Sequence, residues 1–237
     1  MPSFLPDDES GPEEIFDGDE AKQILALRNY ILSFGREGSS DAYQKAKQKF
    51  PGVTAAWGRS LATKLNCAGC HDLPLPPGKR VGPALTYEGS RVREGWLLSF
   101  LKNPGTIKPE YAILGTDARM PNFWLADEEA TALTKYIKKA LIDGGPEDLL
   151  KGKIVVHSLE EGEMLFEEKK CNNCHRIGVK AGGIGPILTE AGNRLNAGWI
   201  FRFILNPKFY LPTTKMPNLG LTDEEAQAIV VYVISHK

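Results

Sequence analysis

Apolar residues recur at helical spacing in several short stretches of this chain. The clearest is near the C-terminus, where Ala226, Ile229, Tyr232 and Val233 fall on one face and predict a helix over residues 223–236. Thr222 and Glu225 stand three apart at its start, the spacing of a capping box. A similar helix is predicted over 127–142, carrying Tyr136. It has Ala126 at the matching cap position, so Asp127 is expected to take over the capping. Residues 54–66 and 160–170 predict amphipathic helices, and Met164 is expected to face the core. Residues 95–101 and 198–205 predict short apolar helices, each stopped at an Asn-Pro. One more helix is predicted over 20–34. Most of the rest is loop rich in Pro and Gly, and the fold class is all-α.

These elements come in the same order twice. Gly58 and Gly162 each stand nine residues before a cysteine, and a helix without a side chain there can cross closely over another. Gly82-Pro83-Ala84-Leu85 matches Gly185-Pro186-Ile187-Leu188, and Gly89-Ser90-Arg91-Val92 matches Gly192-Asn193-Arg194-Leu195. Trp96 pairs with Trp199, Asn103-Pro104 with Asn206-Pro207, and Met120-Pro121-Asn122 with Met216-Pro217-Asn218. So many ordered matches imply a duplicated unit. The predicted domains are 49–144 and 145–237, preceded by an acidic segment over 1–48.

All four cysteines lie in Cys67-Ala68-Gly69-Cys70-His71 and Cys171-Asn172-Asn173-Cys174-His175. C-x-x-C-H is the attachment signal for c-type haem. Each sulfur takes a vinyl group as a thioether, and the histidine next to the second cysteine reaches the iron. Zinc knuckles pair their cysteines about 15–20 residues apart, whereas Cys171 comes more than 100 positions after Cys67. A thioredoxin-like pair wants a βαβ context that is not seen here. Disulfides would not require a histidine after each pair. Two covalently held haems are expected.

Composition narrows the class. The 237 residues are 42% hydrophobic, with a formal net charge of −1, ordinary for a globular chain. Residues 1–48 hold 10 acids and 5 bases, while 49–144 are mildly basic. Nothing suggests nucleic-acid binding. No apolar run approaches the roughly 20 residues that span a bilayer. The acidic first twenty residues are the opposite of an export signal. Met1-Pro2-Ser3-Phe4 followed by an acidic stretch and a helix repeats the order that ends each unit. Residues 1–36 are therefore expected to be the tail of a third, upstream unit, interrupted by an insertion over 11–18.

On these residues each unit resembles a small class I c-type cytochrome domain, and the pair resembles di-haem cytochromes c. The resemblance covers 49–237. It implies two small helical domains, each wrapped around a covalent haem c whose iron is held by His71 with Met120, and by His175 with Met216. These methionines follow their histidines by 49 and 41 residues. The resemblance also gives Pro83 and Pro186 the role of accepting the ligand histidine's Nδ1–H. It places Arg91, Arg194, Trp96 and Trp199 at the haem propionates or edge. His157 and His236 have no repeat partner and are expected to be ordinary residues.

A haem closed by His and Met has no open site for substrate, and thioether ligation raises its potential. The implied function is one-electron relay between a donor and an acceptor protein, not catalysis. The alternatives are a di-haem peroxidase, in which one haem lacks its methionine, a subunit of a membrane respiratory complex, and a haem gas sensor. The resemblance places the protein in the periplasm or on the outer face of the cytoplasmic membrane, although this chain shows no export signal. Different loops around the two motifs, including Phe166 where the first unit has Ala62, imply unequal potentials.

Overall fold

The computed structural model describes residues 40–75, 82–104, 120–144, 158–178 and 183–236. The first unit contains α1 (Ser40–Lys49), α2 (Ala55–Lys64), α3 (Glu88–Arg91), α4 (Glu94–Lys102) and α5 (Asp127–Ala140). The second contains α6 (Leu159–Glu168), α7 (Ala191–Arg194), α8 (Ala197–Leu205), α9 (Pro207–Tyr210) and α10 (Asp223–Ser235). Among the described residues the class is all-α, and the one strand-like feature is an isolated antiparallel bridge. None of the described helices is long and apolar enough to cross a membrane.

Each unit is built around one crossing of two helices. Thr54 starts α2 by accepting the Trp57 N–H at 3.2 Å, and Ser158 starts α6 by accepting the Glu161 N–H at 3.0 Å, both N-caps. α2 then passes over α5 at Gly58, where a Cβ would stand 1.9 Å from the Ala132 carbonyl oxygen. α6 passes over α10 at Gly162, where it would stand 2.4 Å from the Ala228 oxygen. Only glycine fits at either crossing. Beneath them α5 buries Leu133, Tyr136 and Ile137, and α10 buries Ile229, Val230 and Val233. Each such side chain contributes about 1.5–3 kcal/mol relative to exposure.

Several expectations are corrected. Met164 is 59% exposed. It lies half a turn away from Gly162 and Phe166, which form the face α6 presents to α10. The cap of α5 is not taken over by Asp127. Glu129 Oε2 accepts the Ala126 N–H at 2.9 Å, half of the box that Thr222 and Glu225 complete on α10. α1 runs across 48/49, with Tyr43 buried and Ala46 packed on the hydrophobic core. After Asn206 the chain starts the short helix α9, with Pro207 at its first turn, where a missing N–H costs nothing. The helix predicted over 20–34 and the tail-like segment 1–36 lie outside the described residues, as does His157.

Asp127 instead anchors ion pairs, with Lys102 Nζ at 2.6 Å and Lys49 Nζ at 3.6 Å. The hydrogen bond from Lys102, with the charges of Lys102 and Lys49, holds its carboxyl below the usual range. A lowered folded pKa stabilises above the unfolded carboxylate value near 4 and is lost as pH falls through the folded one. The side chain is 47% exposed, so solvent screening limits the effect to about 0.5 kcal/mol. Asp127→Asn is expected to lower stability by that amount at pH 7 and to shrink the loss on acidification, read by denaturant melts at pH 7 and pH 3.

The loop after Met120 holds a contrast between the units. Asn122 Oδ1 accepts the Trp124 N–H at 2.8 Å, and Asn218 Oδ1 accepts the Gly220 N–H at 2.9 Å. Both turns place their last residue in the left-handed region, at φ +54° for Trp124 and +63° for Gly220. Trp124 is 85% exposed, so little packing offsets the strain. Trp124→Gly is expected to raise stability by about 0.5–1 kcal/mol, measured by thermal unfolding of the haem-loaded protein.

The units meet through equivalent residues. Val92 and Leu195 form the antiparallel bridge. Arg93 donates its N–H to Arg194 O at 2.8 Å, and Asn196 donates its N–H to Arg91 O at 2.9 Å. These two bonds exchange under the repeat, so a local two-fold axis relates the units here. Asn196 Nδ2 also donates to Ser90 O and Val92 O. At the margin Arg202 makes a forked contact to Asp143, Nη2 to Oδ2 at 2.9 Å and Nε to Oδ2 at 3.1 Å. The Asp143 side chain is 1% exposed.

Candidate functional site

Both C-x-x-C-H segments fold alike. α2 ends at Leu65, Asn66 turns left-handed at φ +52°, and Cys67–Gly69 forms a single 3-10 turn. In the second unit Lys170 turns at φ +61° ahead of Cys171–Asn173. The Cys67 carbonyl accepts N–H bonds from Cys70 and His71, and the Cys171 carbonyl accepts them from Cys174 and His175, at 3.2 and 2.9 Å in each unit. This winding gathers two thiols and an imidazole on one short turn, which the spacing alone implied.

The histidines are fixed from behind. His71 Nδ1 lies 2.8 Å from Pro83 O, and His175 Nδ1 lies 2.8 Å from Pro186 O. A carbonyl only accepts, so Nδ1 carries the proton and Nε2 keeps its lone pair for a metal. Gly82 and Gly185 anchor these proline segments through N–H bonds of 2.8 Å to Cys70 O and Cys174 O. A Cβ on either glycine would stand within 3.0 Å of the imidazole, so glycine lets the loop lie flat against the ring.

In the first unit the motif opens onto a cavity of about 510 Å³. Cys67, Cys70 and His71 line one part of its wall, and Met120 with Pro121 and Phe123 another. Pro83, Arg91 and Trp96 also line it, so the sequence-predicted residues of this unit converge on one space. In the second unit Met216 packs half-buried against the core, with its N–H held by Thr214 Oγ1 at 3.2 Å. Trp96 stacks on Phe100 with centroids 4.9 Å apart, and Trp199 on Phe203 at 4.7 Å. A second hollow of about 510 Å³, walled by Tyr43, Lys47 and Lys135, is more open to solvent and contains none of the motif residues.

Residues 55–140 match the family described as Cytochrome c, and residues 157–233 match the one described as Cytochrome C oxidase, cbb3-type, subunit III. The chain is a tandem of two cytochrome c domains. Cytochrome c type-1 of Ascaris suum is 28% identical over 98 residues, an alignment that takes in 33% of this chain and 87% of that protein.

The cytochrome domains fit a haem by their own chemistry. The first cavity is mainly apolar, as a porphyrin needs, with polar groups at its margin. Arg91 Nε and Tyr136 Oη in the first domain, and Arg176 Nε and Trp199 Nε1 in the second, are buried without a hydrogen-bond partner. A propionate oxygen would supply the acceptor that Arg176 Nε and Trp199 Nε1 lack, while Arg91 Nε stands 3.0 Å from Glu88 Oε2. Burial pushes the Cys67 and Cys171 thiols up. Among the described residues no group of three or more His, Cys, Asp and Glu side chains is arranged to hold a metal ion.

Two features escaped the sequence. Arg91 reaches out of its own domain, with its guanidinium 5.9 Å from the centre of the Trp199 ring. Glu88, 7% exposed, lines the first cavity beside Arg91. The repeat did carry a signal for Glu88, because the matching residue is Ala191.

Proposed function

We propose that this cytochrome is a one-electron carrier holding two haem c groups, one per domain. The observation that carries the reading is the convergence of Cys67, Cys70, His71 and Met120 on one apolar cavity, in a unit whose sequence occurs twice. The four cysteines hold the two porphyrins covalently. His71 with Met120, and His175 with Met216, would hold the two irons. Bound haem supplies the one-electron iron couple. Pro83 and Pro186 orient the ligand imidazoles, and the apolar walls exclude water from the cavity. An iron held by both a histidine and a methionine would have no position left for substrate, which favours a carrier over a peroxidase. Domain limits near 40–144 and 145–237 go with this reading.

Arg91 supports passage between the two sites. It lines the first cavity and lies over Trp199, the counterpart of the cavity-lining Trp96. Donor and acceptor are redox proteins. The match of residues 157–233 to a cbb3-type oxidase subunit favours partners in a membrane respiratory complex, reached from the periplasm or the outer face of the cytoplasmic membrane.

The test is a visible spectrum of the haem-loaded protein, oxidised and reduced, with carbon monoxide and peroxide added. The expected result is the weak long-wavelength band of ferric haem bound to methionine sulfur, with the intensity of two haems and no response to either addition. Carbon monoxide binding to one haem would overturn the carrier reading and bring the peroxidase or sensor forward.

A further inference from the structure

Glu88 is a buried carboxylate in the wall of the first cavity, with its side chain 8% exposed. Its Oε2 lies 3.0 Å from Arg91 Nε, yet neither atom makes a well-aligned hydrogen bond. α3 holds it there because its neighbours on that short helix have other work. Gly89 packs its backbone against α5, with its N–H bonded to Leu141 O, and Ser90 receives the Asp143 N–H. In the second domain the same position is Ala191, buried on α7. The nearest acid along the chain there is Glu190, which points to solvent. Thus one domain has a carboxylate inside, and its duplicate has a methyl group inside with the acid outside.

A negative charge in a low-dielectric wall stabilises the more positive, oxidised state of a nearby iron, and water does not screen it. An exposed glutamate exerts much less. We infer that Glu88 sets the order of the two potentials, making the first haem the lower and directing the electron from the first domain to the second. In balance, a donor protein gives one electron to the first site, that electron moves to the second, and an acceptor protein removes it. Arg91 offsets part of the charge, so the effect is the difference between a paired carboxylate and none. The inference rests on the two-haem reading above.

The test is a potentiometric titration of the haem-loaded wild type, Glu88→Gln and Ala191→Glu, followed by absorbance. Haem content and carbon monoxide binding are measured first. A missing haem or carbon monoxide binding sinks the two-haem carrier reading whatever the midpoints do. With two closed haems, the wild type is expected to show two one-electron midpoints. Glu88→Gln is expected to raise the lower midpoint and leave the upper one in place. The equilibrium constant for transfer between the sites then falls by about tenfold, 59 mV for a one-electron couple. Ala191→Glu is expected to lower the upper midpoint, and it decides the matter if Glu88→Gln does not fold. Movement of the upper midpoint in Glu88→Gln, or no movement in either variant, overturns the inference.

Discussion

Asp143→Ala is expected to destabilise the haem-loaded protein by about 3 kcal/mol. The carboxylate is the buried member of the forked pair with Arg202, and breaking a buried pair from one side costs about 3–5 kcal/mol. The lower end applies because the Arg202 side chain is 14% exposed and its Nε also lies 3.3 Å from Tyr210 Oη. Asp143 closes the first domain and Arg202 sits on α8 of the second, so the loss falls on their contact. A guanidinium denaturation curve followed by helix signal and by haem absorbance is expected to split into two transitions. Asp143→Ala with Arg202→Leu, which leaves no charge behind, is expected to recover much of the loss. A single unshifted transition in Asp143→Ala would show that the pair does not hold the domains together.

The second large effect concerns haem attachment. Cys67→Ala with Cys70→Ala is expected to halve the haem that survives acid extraction, with the remainder on Cys171 and Cys174. After extraction the first domain would have to keep a void of about 510 Å³. Each apolar side chain of the void's wall left against water forgoes about 1.5–3 kcal/mol of burial, so a few of them amount to much of the whole stability of a domain at about 5–15 kcal/mol. The extracted first domain is therefore expected to lose hydrogen-exchange protection in α2, α4 and α5, while α6 and α10 keep theirs. Retention of protection in α5 would show that the domain holds its shape without the cofactor.

The helices α2, α4, α5, α6, α8 and α10, their order and the crossings at Gly58 and Gly162 were legible because each depends on local spacing and on a repeat that showed them twice, whereas α1 and the short α3, α7 and α9 carry too few periodic apolar positions to be read. The converging residues of the first cavity were legible for the same reason. Met164 was misplaced because its position in the chain was weighed above the face it takes, which Gly162 and Phe166 define. Asp127 was assigned to the cap because a single sequence does not show Lys49 and Lys102 arriving from elsewhere. The contact between domains was not legible at all. The bonded partners Arg93 and Arg194, Asn196 and Arg91, and Arg202 and Asp143 are each dozens of residues apart, and nothing in hydrophobic periodicity records a polar contact between distant segments. Glu88 was hidden among ordinary acids until its burial was known.

The bridge between Val92 and Leu195 joins one position of the repeat to itself. A single-domain ancestor with this surface would have joined another copy of itself in the same way, as a symmetric homodimer whose interface is self-complementary. Fusion of the two copies into one chain makes their association independent of protein concentration. It also frees each side to change alone, as the equivalent positions show, with Arg93 bonded to Arg194 O on one side and Asn196 bonded to Arg91 O on the other.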